Sequence, residues 1–203
     1  MSVAQRAVPV RPIAVLDANV LIPPGLRDLL LSAADAAVFR PVWQSEIEDE
    51  VRRNGASLLA KRYGVDEEEA ARRIGLVVAA MRTAFPDASV PTELWVPLVP
   101  AMMCAREDRH VLAVAAGIGA THVITTNTSD FPARSRPSGL SVVTADRFLR
   151  EQLAERPALV IEAIESMSAR LTRPGRTPVQ IADALAAGQY APRFGRELRR
   201  LLD

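Results

Sequence analysis

Four carboxylates stand in this chain where a strand gives way to a loop or a helix. Asp17 ends the apolar run IAVLD, residues 13–17, and is followed by Ala18, the amide Asn19 and three more apolar residues. Glu50 lies in QSEIEDEVRRN, Asp108 opens DRHVLAVAAG, and Asp130 comes just after THVITT, within TTNTSDFP. A buried strand gains nothing by ending in a charge unless the charge is needed there. If these runs form a parallel sheet, their carboxyl ends gather along one edge, where such sheets bind ligands. Asp17 and Asp130 then share the edge, and Glu50 and Asp108 sit on helices that can lean over it. Four carboxylates in one place repel one another unless a cation lies among them. An all-oxygen set without a His or Cys cluster suits Mg²⁺ or Mn²⁺.

Taken singly, each acid has an ordinary alternative. A lone Asp at a strand end is most often a cap or turn former. Glu50 could belong to a solvated helix face with arginines three or four residues away. Asp108 could be a helix-start acid, and Asp130 could form an Asx turn before Phe131-Pro132.

The elements that must position these acids follow from periodicity. IAVLD, VFRPVW, THVITT and LSVVT read as short strands, the first continuous, β-branched and preceded by Pro12. LRDLLLSAADA is helical after the break at Pro23-Pro24-Gly25. QSEIEDEVRRN has helical spacing and is predicted to stop at Asn54-Gly55. DEEEAARRIGLVVAAMRTAF is a long amphipathic helix with acids in its first turn, as the helix dipole favours. PDASVPTELWVPLVP is irregular, with room for one short strand. REDRHVLAVAAGIG is a helix ending at glycine, and ADRFLREQLAE is another helix. Strands alternating with helices define an α/β fold with a parallel sheet. From Arg156 onward only helices remain, punctuated by Pro157, Pro174, Pro178 and Pro192. The division is therefore a loose segment 1–12, an α/β domain 13–155 and an all-helical extension 156–203.

Composition narrows the setting. The 203 residues are 49% hydrophobic and 24% charged, an ordinary globular profile long enough for one good core. Aromatics are 4%, so core volume must come from Leu, Val, Ile and Ala. The net charge of +1 gives no electrostatic pointer to nucleic acid. Lys61 is the single lysine among 25 basic residues, a bias toward arginine that a GC-rich genome also produces. A single Cys, Cys104, excludes an internal disulfide framework and fits a reducing cytoplasm. No leader pattern opens the chain, and no run of about 18 apolar residues points to a membrane span. With only His110 and His122 present, there is no Ser-His-Asp set; structural or RNA-edge roles suit these two better than general-base roles.

Four motifs then line up in order. VLDANVL is an apolar strand ending in Asp, a small residue and Asn. VWQSEIEDEVRRN carries Trp43, Ile47, Glu50 and the VRRN ending. DRHVLAVAAG begins at Asp108, and TTNTSDFP carries Asn127 and Asp130. Together, over about residues 13–150, they resemble the PIN-domain ribonucleases, in particular the VapC-type toxins of bacterial toxin–antitoxin pairs. The register of the second motif selects Glu50 over Glu46 or Glu48. The tail resembles, more weakly, a helical extension seen after some VapC-like domains.

The resemblance implies a PIN-like parallel sheet flanked by helices, and metal-assisted hydrolysis of RNA phosphodiester bonds. The ion is Mg²⁺ or Mn²⁺, held by Asp17, Glu50, Asp108 and Asp130, which are also the catalytic residues. Asn19, Thr126 and Asn127 have supporting roles, with Asn19 orienting the Asp17 carboxylate or a bound water. An antitoxin protein and a homodimer are the implied partners, both using the apolar surfaces of LRDLLLSAADA and of the helix carrying Ile74, Leu76, Val77, Val78 and Met81; the alternative is that the helical tail covers them. Two positions depart from the family pattern. Asn127 stands where many relatives carry Asp, which implies one tight ion and a looser second one. Gln44 stands where Ser is common, which should alter only a helix cap.

Rivals fit less well. A haloacid-dehalogenase-like phosphatase also begins with a strand ending in Asp, but it needs a second Asp where this chain has Asn19 and a lysine better placed than Lys61. A nucleic-acid-binding helix-turn-helix in the tail is weak: from Leu171 onward there are six Arg against three acids. An RNA-processing nuclease without an antitoxin is the alternative within the family.

Overall fold

The computed structural model describes residues 10–172 and 175–203. Of the segment expected to be loose, residues 1–9 lie outside the described residues, as does Pro174. Residues 10–12 are bonded to the body. Arg11 Nη2 donates to the carbonyls of Phe39 (2.6 Å) and Ala34 (3.2 Å), and Pro12 O accepts from Arg40 N at 2.8 Å.

Four strands form one parallel sheet: β1 (Ile13–Leu16), β2 (Arg40–Val42), β3 (His122–Ile124) and β4 (Ser141–Val143), in the order β2-β1-β3-β4. Val15 pairs with Val42 on one side and Val123 on the other, and Val123 pairs in turn with Val142. Both faces of the sheet are covered. Ala14, Val15, Leu16, Val123 and Ile124 are fully buried, as the continuous apolar runs require. From β1 the chain moves outward to β2, then crosses to β3 on the other flank of β1. The strand order therefore reverses between β1 and β3, and the crevice beyond their carboxyl ends is where ligands bind in such folds.

Helices α1 (Ala18–Leu21) and α2 (Pro24–Asp35) join β1 to β2; the single turn α1 follows directly on Asp17 and was not predicted. After β2 come α3 (Ser45–Tyr63) and α4 (Glu67–Ala84). Helix α3 runs nine residues past the predicted stop at Asn54-Gly55 and ends instead at Gly64, whose φ of 64° is left-handed. Gly55 is retained inside because α4 packs on it: a Cβ there would meet Ile74 Cγ2 at 3.3 Å. Tertiary packing overrides the local preference of glycine for a helix end. An ion pair between a buried carboxylate and a half-exposed guanidinium joins the same two helices. The Glu48 carboxylate, 1% exposed as a residue, accepts from Trp43 Nε1 at 3.0 Å and from the Arg82 guanidinium through both Nε and Nη2.

The Pro-rich stretch folds as short 3-10 turns, and its one strand-like feature is a parallel bridge of Ser89 to Trp43. A 3-10 turn, Arg106–Asp108, then leads into α5 (Arg109–Gly117). After β4 come α6 (Ala145–Glu155), α7 (Pro157–Arg170), α8 (Pro178–Ala187) and α9 (Pro192–Leu202). The extension is tied back to the α/β body by several contacts. Arg170 on α7 bonds Asp35 (3.1 Å) and Ser32 (2.8 Å) of α2, and Glu197 on α9 pairs with Arg150 of α6 at 2.7 Å. No helix among the described residues is long and apolar enough to cross a membrane.

Candidate functional site

The edge beyond β1 and β3 is organised around Asp17. Strand β1 delivers it there, and its backbone N–H continues the ladder to Ile124 O at 3.1 Å. One carboxylate oxygen, Oδ1, caps α1 by accepting from Ala18 N at 2.7 Å. The other, Oδ2, accepts from Asn19 Nδ2 and from Thr125 Oγ1, both at 2.7 Å. Asn19 is itself held, its Oδ1 accepting from Thr126 N at 2.9 Å, while Thr125 Oγ1 accepts from Asn127 N at 3.0 Å. Asp17, 8% exposed, thus has its orientation fixed from two adjacent strand ends.

The other three acids are linked to this edge by their charges: Glu50 and Asp108 act on Asp17 or are acted on by it, and Asp130 acts on Asp108. Burial raises the pKa of Asp17, and the Glu50 charge raises it further, against the lowering effect of the hydrogen bonds from Thr125, Ala18 and Asn19. Glu50, half-buried on α3, is also raised, first by burial and then by Asp108, with Arg53 opposing. Asp108, at the end of the 3-10 turn before α5, is pushed up to about 6 by burial and by the charges of Asp130, Asp17 and Glu107. Each predicted acid therefore sits within the field of at least one other, and Asp108 feels both strand-end carboxylates. Asp130 and Asn127 lie exposed on the loop after β3. Among the described residues no three His, Cys, Asp or Glu side chains are arranged as a ready-made metal cage. The carboxylates are electrostatic neighbours rather than a closed coordination shell.

Glu46 and Glu48 stand apart from the group. Glu48 is spent on Trp43 and Arg82, and Glu46 accepts from Ser45 Oγ at 2.7 Å. Of the supporting residues, Asn19 does touch the Asp17 carboxylate. The Thr126 side chain does not: it is exposed, its hydroxyl 3.4 Å from Asn127 Oδ1, and only its backbone N–H serves the site. The fully buried neighbour Thr125 supplies the hydroxyl. A signal for it was present, because the Thr of the T-x-N pattern falls on Thr125.

Gln44 does more than the predicted change of cap. It stands at the N-cap of α3 with no side-chain cap bond. Its buried amide instead meets the His110 imidazole, Nε2 to Nδ1, at 2.5 Å. Burial lowers the His110 pKa, which keeps the ring neutral. His122 packs edge-on against Phe148 at 5.1 Å, a structural contact. Cys104 is half-buried and its thiol is pushed up by burial, the opposite of an activated nucleophile.

The apolar surface of α2 is partly covered by α7, and that of α4 by α3. Ile74 is half-buried against Gly55, and Val78 and Met81 belong to the core. Between α2, α4 and α7 remains a groove of about 480 Å³ with Leu31, Val77, Met81, Phe85 and Met167 on its walls and Arg27, Asp28, Asp35 and Arg170 among its lining residues.

Residues 145–200 match the family model described as VapC50 C-terminal domain, a segment that begins with α6. Over 105 residues the chain is 34% identical to the Mycobacterium tuberculosis (strain ATCC 25618 / H37Rv) protein named "Putative ribonuclease VapC50". That stretch covers 51% of this chain and 61% of the relative. No solved structure matches the chain. Both similarities point to the VapC-type toxins, the group that the four acidic motifs resemble. The four-stranded parallel sheet with its helical C-terminal part agrees with a PIN-like α/β fold.

Proposed function

We propose that the chain is a metal-dependent ribonuclease and the toxin of a type II toxin–antitoxin pair. The observation that carries this reading is the clamped Asp17 carboxylate, coupled electrostatically to Glu50 and Asp108, with all three pKa values raised and the Asp130 charge acting on Asp108. Such a set is self-repelling when empty and all-oxygen in its donors, which fits a hard divalent cation. Asp17, Glu50, Asp108 and Asp130 would hold Mg²⁺ or Mn²⁺. Such an ion supplies an activated water and neutralises charge on the attacked phosphate. Hydrogen bonds from Thr125 and Asn19 favour the ionised form of Asp17 and turn it, and the neutral Asn127 leaves its side of the site weaker in charge. The relative's printed name supports the ribonuclease activity.

The proposed partner is an antitoxin whose apolar helix lies in the groove between α2, α4 and α7, with an Arg or Lys directed at the carboxylates. The same apolar surfaces are the proposed contact of a homodimer, which light scattering would test. The activity test is cleavage of single-stranded and structured RNA by the purified chain in Mg²⁺, in Mn²⁺ and in EDTA. Cleavage in either metal that EDTA abolishes supports the reading, and equal cleavage in EDTA overturns it.

A further inference from the structure

A second hollow opens beside Asp17, and the C-terminal extension builds half of it. This cleft of about 340 Å³ is lined by Asn19, Leu26, Thr125 and Thr126 of the α/β body, by Thr144 and Ala145 at the start of α6, and by Gln189 and Tyr190. Asn19 and Thr125 are the residues that hold Asp17 Oδ2, so the cleft is continuous with the carboxylate edge. Gln189 and Tyr190 lie in the turn between α8 and α9, more than 60 residues further along the chain than Thr125. That turn is anchored. Asp146 Oδ1 on α6 accepts from Arg193 N at 2.8 Å and from Phe194 N at 2.9 Å. Gly195 packs so closely on α8 that a Cβ there would lie 2.8 Å from Ala182 O.

The lining chemistry selects the occupant. None of the residues around this cleft carries a charge. A phosphate site would present Arg, Lys or free helix N–H groups. The N-terminus of α6 is already capped, Thr144 Oγ1 accepting from Arg147 N at 3.3 Å. An aromatic ring, a carboxamide and hydroxyls beside a nuclease edge instead match an unpaired base, which stacks on aromatic side chains and bonds through its edges.

We propose that this cleft is a nucleobase subsite: Tyr190 stacks on one unpaired base of the substrate RNA and the Gln189 amide reads its edge. The extension thereby selects where the RNA is cut. This inference rests on the ribonuclease reading above, but its binding arm is measured separately from cleavage.

The probe is a short single-stranded RNA carrying 2-aminopurine, mixed with the full chain in EDTA so that nothing is cleaved. The wild type quenches the fluorescence and Tyr190→Phe retains the quench. Tyr190→Leu, which keeps apolar bulk without a stacking ring, loses it and binds about tenfold more weakly. In Mg²⁺, Gln189→Ala shifts the pattern of cut sites on a mixed-sequence RNA. Melting temperatures confirm that each variant is folded. Unchanged quench and affinity in Tyr190→Leu, or no quench by the wild type, overturns the subsite. Absence of cleavage by the wild type in Mg²⁺ and Mn²⁺ overturns the nuclease reading alone, because a quench that depends on Tyr190 still reports the stacked base.

Discussion

Thr125 Oγ1 donates to Asp17 Oδ2 at 2.7 Å across the boundary between β1 and β3, and the same carboxylate oxygen receives Asn19 Nδ2 at the same distance. Two strand ends, 108 residues apart in sequence, are thus joined at the acid on which the site depends.

Thr125→Val keeps the shape of the side chain and removes its hydroxyl. A buried carboxylate deprived of a charge-assisted donor should cost about 1–3 kcal/mol of stability at pH 7. Mn²⁺ should bind more weakly, because Asp17 is turned by one fewer contact and protonates more readily. Urea unfolding and calorimetric titration with Mn²⁺ measure the two effects, and Thr125→Ser should restore both. Equal behaviour of Val, Ser and wild type would show that the bond carries nothing.

The pH dependence of the metal-free chain should run opposite to that of an ordinary salt-bridged acid. Asp108 has its folded-state pKa raised to about 6 from an ordinary 3.8, so the folded chain binds this proton more tightly than the unfolded chain. Its stabilising contribution is complete below the unfolded value and is lost as pH rises through about 6. Asp17 and Glu50 are shifted in the same direction. The melting temperature in EDTA should therefore fall from pH 5 to pH 7, with a shallower fall in Asp108→Asn. With Mn²⁺ at saturating concentration the trend should reverse, because the ion needs the deprotonated acids. Identical slopes for Asp108→Asn and the wild type in EDTA would contradict the clustering of these charges.

Arg82→Ala tests the joint between α3 and α4. It leaves the Glu48 carboxylate buried beside Trp43 Nε1, with the Arg52 guanidinium 3.7 Å away. Because Arg82 is half exposed and solvent screens the pair, its removal should cost about 1–2 kcal/mol in urea unfolding, mostly from the buried Glu48 carboxylate left short of donors. The charge has no contact with Asp17, so cleavage per folded molecule should persist. A loss below about 1 kcal/mol would mean that Arg52 and water replace Arg82 fully.

Much of the scaffold was legible because it rests on local chemistry. Continuous apolar runs gave the four strands, and Asp17 stands at the end of the first of them. What escaped the sequence depends on residues far apart. Gly55 reads as a helix end, and only the approach of Ile74 explains why α3 continues through it. Gln44 reads as a weak cap until the fold brings His110 to it, 66 residues away. Thr125 is the Thr of the T-x-N pattern, but what its hydroxyl does shows only in the fold, where it is buried at the end of β3 and bonded to Asp17. The place of Gln189 and Tyr190 at the carboxylate edge has no local signal, since it follows from Asp146 anchoring the start of α9.

The most direct measurement is RNA cleavage by Asp17→Asn beside the wild type, in Mn²⁺, with the melting temperature of each taken in EDTA. The substitution keeps the size of the side chain and removes one of the mutually repelling charges. Cleavage should fall to background while the variant melts at least as high as the wild type. Wild-type cleavage by Asp17→Asn would contradict the assignment of this carboxylate as the centre of the metal site.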